Sequence, residues 1–443
     1  MIYRLESGQT LTDSKLSEFI GKHDMEVSRR LKNLQKAYNT DYPIFHAPKK
    51  PEWKPDNRVA VNFAKYIVDT MNGFFLGHPV RLTVDAGHDE VARYAELIDQ
   101  YNDMDDKNAE LSKLCSIYGR AYEMYYVDDV GNIGVTYLDP MEAFMIYDDS
   151  VLQNELYFVR LYRDADNVLH GSVADESSVR WFTQKGKIIW DAEERIHGFS
   201  GVPAVEYVEN EERMGIFEPA LPMINAYNKA VSEKANDVDY FADAYMKVLG
   251  AKLDEDDIKH IRDDRVINFD GDASAVAVDF MQKPDGDTTQ EHLIDRLEKL
   301  IFQICMVANM SDENFGTSSG IAMKYKMLPM SNLEKTKERK FASGMNRRYK
   351  LIFSNPVSGM KADDWIYIHP KFTPNFPANL QEEAQIAQAL SGIVSRETQI
   401  GVLSNVENVQ DELEKLEAED ENLKSDAVMS QMFGGLSGDE GQQ

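Results

Sequence analysis

The chain has 443 residues, 43% of them hydrophobic and 10% aromatic, and carries a formal net charge of −28. That length and apolar content imply two or three domains with sizeable cores and exclude wholesale disorder. The charge argues against a protein that grips nucleic acid by neutralising phosphates; it suits plain solubility, or a surface past which DNA moves without sticking.

The opening MIYRLESGQTLTDSK lacks the basic and apolar regions of a signal peptide. No apolar run approaches the ~20 residues of a membrane span. Cys115 and Cys305 lie far apart in apolar patterns, which suggests no disulfide framework and fits a reducing cytoplasm.

Residues 13–39 read as an amphipathic helix, with Leu16, Phe19, Ile20, Leu31 and Leu34 at helical spacing. The prolines from Pro43 to Pro55 predict an extended, lysine-bearing connector. Ala60 to Phe74 has helical character; Gly77 and Pro79 end it, and Val80, Leu82 and Val84 alternate as a strand. Helices follow over 89–101 and 106–119. From about Ala121 the pattern changes to short runs rich in aromatic and β-branched residues, separated by turn residues such as Asp129 with Gly131. They predict a meander of antiparallel strands reaching about Asn210.

Residues 219–249 return to helix. Val231, Ala235, Val238, Ala242, Tyr245 and Leu249 form a stripe suited to packing on another helix, with Gly250 placed as a C-cap. An acidic insert occupies 251–287, and a second heptad-like helix carries Leu293, Leu297, Leu300, Ile304 and Val307. The polar segment NMSDENFGTSSG, 309–320, is a loop. A long, basic helix runs from about Ile321 to Phe353, with a kink expected at Pro329. Strand-like pieces lie around Trp365–His369 and Lys371–Thr373. The tail from Leu380 is helical, Ser395 caps one helix, Ser404-x-x-Glu407 resembles a capping box, and disorder is expected from Asp426.

Catalytic signatures are missing. The sequence has no P-loop, no H-E-x-x-H and no G-x-S-x-G, and its nine histidines lack metal-ligand spacing. Gly316 and Gly320 precede a helix, but no Lys-Ser/Thr pair follows to complete a phosphate cradle. The acidic clusters at 103–110 and 254–257 read as solvated caps and turns; the rival is an acidic metal-dependent DNA-processing enzyme using Asp105 and Asp106. A monomeric cytoplasmic adaptor is a third reading.

Four blocks resemble, in order, the portal family of long-tailed (siphovirus-type) bacteriophages of Gram-positive hosts. They are NRVAVNFAKYIVDTMNGFFLGHPVRL; LSKLCSIYGRAYEMYYVDDVGNIGVTYLDPMEAFMIYDD; PAVEYVENEERMGIFEPALPMINAYNKAVSEKANDVDYFADAYMKVLG; and IFQICMVANMSDENFGTSSGIAMKYKM running into ERKFASGMNRRYKLI. The likeness spans roughly residues 15–420. It implies an α+β portal fold: a strand-rich wing (1–218 and 321–377), stem helices (219–250 and 288–308), a small clip (251–287), a tunnel loop (309–320), a helical crown (378–425) and a disordered tail (426–443).

The resemblance also implies a non-enzymatic ring of about twelve subunits at one capsid vertex, assembled in the host cytoplasm. Double-stranded DNA would pass through it without sequence specificity. Expected partners are the terminase large subunit, a head-tail connector (head completion) protein, and the major capsid and scaffolding proteins; no cofactor, metal or membrane is implied. The DNA-facing tunnel loop would comprise Asn309, Met310, Ser311, Asp312, Glu313, Asn314, Phe315, Gly316, Thr317, Ser318 and Ser319. Stem packing would fall to Val231, Ala235, Val238, Ala242, Tyr245, Leu297, Leu300 and Ile304, and candidate channel cations are Lys229, Lys234, Lys247 and Lys259. Two departures bear on the crown and clip: Ser404-Asn405 stands where the family often has a Pro-containing turn, and the chain is short for the family.

Overall fold

The computed structural model describes residues 2–6, 8–52, 54–242, 246–249, 277–280, 287–310, 320–376, 380–403, 406, 409 and 412–419. The chain divides into two compact units, Met1–Asn375 and Phe376–Gln443. Helix and sheet are mixed, as an α+β class requires.

The first unit opens with strand β1 (Tyr3–Leu5) and helix α1 (Asp13–Glu26). Thr12 caps α1, its hydroxyl accepting from the Lys15 amide at 3.3 Å, and Leu16, Phe19, Ile20 and His23 form the buried stripe. The helix continues through a π-helical turn (Val27–Leu31) into α2 (Lys32–Tyr38). The 3.6-residue period of the sequence did not signal that widened turn. Helix α3 (Phe63–Phe75) is capped by Asn62 and buries seven residues, from Phe63 to Phe75. Helices α4 (Asp89–Tyr101) and α5 (Met104–Tyr118) follow. α5 stops at Gly119, whose φ of +86° suits glycine and where a Cβ would lie 2.0 Å from the Arg213 carbonyl oxygen.

The strands form two main sheets. One is three-stranded, in the order β10 (Ala204–Val208), β3 (Arg120–Val127), β4 (Ile133–Leu138). The other has the order β1, β5 (Ala143–Asp148), β6 (Glu155–Arg163), β7 (Leu169–Ala174), β8 (Ser178–Lys185), β9 (Lys187–Ile196). Strands β6 to β9 are the expected antiparallel meander, with β5 paired antiparallel to β6. β1 adds to its edge in parallel, pairing Tyr3 with Ile146. Strand β5 was not expected: all six of its residues are buried, so it lacks the alternation that marks a half-buried strand. α1 covers one face of the large sheet, where Phe19 and Ile20 meet Phe144, Val159 and Phe182.

Helix α6 (Leu221–Ala242) ends earlier than the stripe suggested. Met246–Leu249 is strand β11, paired antiparallel with β12 (Ala277–Phe280), so Leu249 belongs to a strand and not to the stem helix. Most of the acidic insert, with Gly250, lies outside the described residues. Helix α7 (Asp287–Cys305) returns beside α6. Helix α8 (Gly320–Ser354) runs continuously through Pro329 and packs against α3 and β10. Gly344 makes that approach possible, because a Cβ there would lie 2.4 Å from the Tyr207 ring. Asp364–Tyr367 is a 3-10 turn rather than the expected strand, and β13 (Ile368–Lys371) pairs with β2 (Arg81–Val84).

In the second unit, α9 (Leu380–Leu390) and α10 (Arg396–Ile400) are joined by a bond from Gln399 Nε2 to the Ala387 carbonyl at 2.8 Å. Ser395 caps α10 as expected, accepting from the Thr398 amide at 3.3 Å. Residues 412–419 are helical, while Ser404 and Glu407, the residues of the expected capping box, lie outside the described residues.

Candidate functional site

The candidate site is the layer made by α6, α7 and the start of the loop that follows. α7 turns Ile294, Ile301, Phe302 and Cys305 into a core shared with Ile224 and Tyr227 of α6 and with Phe63 and Ile67 of α3. Ring contacts fix the geometry: Phe63 meets Tyr227 edge-on at 4.9 Å, and Phe302 meets Phe63 and Tyr66 at 5.6 Å each. At the far end of the pair, Lys234 is ion-paired with Glu291, and Gln290 Nε2 donates to Asp237 Oδ2 at 3.1 Å.

A polar ladder runs along another face of α6. Asn228, Ser232 and Asn236 stand one helical turn apart and are almost fully buried. They grip the extended backbone before α3. Asn228 Oδ1 accepts from the Val61 amide at 2.8 Å, and Asn236 Oδ1 accepts from the Asn57 amide at 2.6 Å. Between them the Ser232 hydroxyl accepts from the Val59 amide at 2.9 Å, with the Val59 and Asn228 carbonyl oxygens in reach of its proton at 2.9 and 2.7 Å. An extended segment that belongs to no sheet thus has alternate backbone groups satisfied by side chains. Sequence reasoning missed this ladder, because an i, i+4, i+8 polar row reads as a solvated face.

The predicted stem stripe is split by the fold. Val231 and Leu297 pack on the shared core, and Ala235 and Leu300 are half-buried. Val238 is 63% exposed and Ile304 43% exposed, so neither packs inside the subunit. Ala242 is the last residue of α6, and Tyr245 lies outside the described residues.

Of the predicted loop, Asn309 and Met310 are described and both are anchored. Asn309 Nδ2 donates to Glu298 Oε1 at 2.9 Å, and the Met310 amide donates to the Tyr66 hydroxyl at 3.0 Å. Ser311 to Ser319, with Phe315 and Gly316, lie outside the described residues. Among the candidate cations, Lys229 is exposed, Lys234 is held by Glu291, Lys247 sits opposite Asp279 in the β11–β12 pair, and Lys259 is not described.

The basic stretch of α8 turns its decisive charges inward. Lys337 is ion-paired with Glu209, with Ser116 Oγ at 2.8 Å and the Ser112 carbonyl oxygen at 3.2 Å. Arg348 holds Glu123 through both carboxylate oxygens, at 2.8 and 2.9 Å, and reaches Asn108 Oδ1 at 2.7 Å. Burial, together with the Glu123 charge, drives the Tyr125 phenol well above its ordinary range, so its hydroxyl stays protonated and donates to Glu123. A second buried network links Arg120 to Glu26 at 2.9 Å and Arg213 to Glu206 at 2.7 Å. Burial pushes the Glu206 carboxyl up, but the Arg213 and Arg120 cations outweigh it and hold the group below the usual range. These pairs pin the helices to the small sheet.

No cluster with the makings of a metal site exists among the described residues. Asp105 and Asp106 lie exposed in the first turn of α5, where carboxylates favour the helix dipole. No helix among the described residues is long and apolar enough to cross a membrane.

Comparison with known proteins adds two findings. A family model described as "Phage portal protein, SPP1 Gp6-like" matches residues 17–426. The portal protein of Clostridium phage phiCD119 is 22% identical over 399 residues, covering 84% of this chain and 87% of that protein.

Proposed function

The chain belongs to the SPP1 Gp6-like phage portal family, a structural and non-enzymatic class of phage component, and from that premise we propose that it forms the DNA conduit of a capsid vertex. About twelve copies close into a ring through heterologous contacts, each subunit offering two different surfaces. DNA passes through the centre during packaging and ejection. The terminase large subunit docks on the ring during filling, and a head-tail connector protein docks afterwards. Scaffolding and major capsid proteins meet it during head assembly.

The observation that supports this reading is the family match over residues 17–426, a span that includes both helices of the α6–α7 layer and the loop after them. On this reading the two sheets with α1 to α5 and α8 are the wing. The α6–α7 pair is the stem and 251–287 the clip. Residues 309–320 are the tunnel loop, and 378–425 form the crown. The net charge of −28 keeps DNA from adhering along the path.

A phage whose copy of this gene is disrupted should build heads that contain no genome, and supplying the intact chain should restore filling. The variant Phe315→Ala should restore ring-bearing heads but not full packaging. Wild-type filling with Phe315→Ala contradicts the loop assignment, and filled heads without the chain contradict the whole reading.

A further inference from the structure

We infer that the uncharged rings of His23 and His197 latch the two chain crossings between the main sheets, so that acid frees the large sheet to move on the small one. The latch is independent of the ring reading above.

The chain passes directly between the two sheets twice: through 139–142, from β4 to β5, and through 197–203, from β9 to β10. The whole run from β5 to β9 is thus inserted between strands of the small sheet, and the two crossings are its hinge. The sheets meet in a core that includes Tyr122, Leu138, Met145, Phe158 and Ala204.

Each crossing is tied by one histidine. His23, on α1, is 1% exposed and lies against the Phe144 ring at 4.9 Å. Its Nε2 is 2.8 Å from the Pro140 carbonyl oxygen, which only accepts, so Nε2 carries the proton. Its Nδ1 is buried without a partner among the described residues, so a second proton there would have no acceptor. His197 lies in the other crossing. Its Nε2 donates to the Asp175 carbonyl oxygen in the β7–β8 turn at 3.1 Å, and its Nδ1 accepts from the Phe199 amide at 3.1 Å. Its own carbonyl oxygen accepts from Asn355 Nδ2, just past the end of α8, at 3.0 Å. A charged imidazole has two donors and no acceptor, so protonation removes the Phe199 bond. Phe199 anchors this crossing in the core shared by α8 and the small sheet.

Burial holds both imidazoles below their ordinary 6.5 against the surrounding charges. Around His23, Glu26 and Asp24 on its own helix favour the charged ring, Arg120 of β3 opposes it, and Tyr3 of β1 presents a phenol. Around His197 the Asp175 carboxylate favours the charged ring, but it already accepts from the Ser177 and Ser178 amides at 2.8 Å each. Asp139, in the first crossing, works the other way: burial raises its carboxyl to about 6, so the fold accommodates its proton. The histidine contribution is therefore complete above 6.5 and is lost as pH falls below that value.

The test is hydrogen-deuterium exchange of the full chain near pH 7.5 and near pH 5.5, read as protection factors, which allow for slower chemical exchange in acid. In the wild type, protection of 197–203 should fall several-fold in acid, at most about tenfold, while that of α3 stays constant. His197→Asn keeps an oxygen to accept from the Phe199 amide and cannot be charged, so its 197–203 segment should not respond. His23→Gln keeps a donor for Pro140, and with Asp139 then acting alone its 139–142 segment should gain protection in acid relative to the wild type. Constant protection of 197–203 in the wild type would overturn the His197 latch even if neither variant folds. Identical pH responses in the wild type and both variants would overturn the whole proposal.

Discussion

The Met310 amide donates to the Tyr66 hydroxyl at 3.0 Å across a sequence separation of 244 residues. α3 thereby fixes the point at which the polar loop leaves the α6–α7 layer. Tyr66→Phe removes the acceptor and leaves the Phe302 ring contact in place. Stability should fall by about 1 kcal/mol in chemical denaturation, the usual net worth of one hydrogen bond. Rings should still form, while packaging should drop several-fold. Unchanged packaging would show that the anchor does not matter to the loop.

Ser232 is the centre of the polar ladder, and Ser232→Ala leaves the Val59 amide without its partner. An unsatisfied buried donor costs about 1–3 kcal/mol. Ala235→Ser, on the same helix but off the ladder, should change stability by less than about 0.5 kcal/mol. Equal effects of the two substitutions in thermal unfolding would remove the special role of the row.

Lys337 and Glu209 are each 2% exposed at the side chain. Removing one partner strands a buried charge, so Lys337→Met should destabilise by about 3–5 kcal/mol. Lys337→Met combined with Glu209→Leu should cost less than the two single changes together. Additive losses in a double-mutant cycle would mean that the two groups act independently.

Burial holds the Asp99 carboxyl at about 6, above its ordinary 3.8, with the Arg348 charge and the Tyr349 hydroxyl at 2.9 Å offsetting only part. The folded state therefore holds this proton more tightly than the unfolded chain. The resulting stabilisation is complete below about pH 4 and is lost as pH rises through about 6. Asp99→Asn keeps the acceptor for Tyr349 and removes the charge. It should match the wild type near pH 4 and exceed it by roughly 1–3 kcal/mol near pH 8. Parallel stability-pH curves for the two proteins would refute this.

Regular elements were legible where one face is wet. α4 falls at 89–101 as its apolar spacing indicated, and β6 to β9 follow the turn residues between them. Strand β5 escaped because burial on both faces erases alternation. The stripe on α6 misled at its end: Leu249 keeps the spacing yet lies in a strand, since helical periodicity cannot report a strand pairing made with residues 277–280. At the site, the loop's position was readable but its anchors were not. Tyr66 and Glu298 look like surface residues until the fold brings them to Met310 and Asn309. Lys337 and Arg348 read as solvated charges because their partners are 128 and 225 residues away.

The central claim is a closed ring, and native mass measured by light scattering or mass spectrometry tests it most directly. The ring reading predicts about twelve or thirteen times the 50.5 kDa of one chain, with a central hole in negative stain. A single-subunit or dimer mass, constant across concentrations and salts, would contradict it.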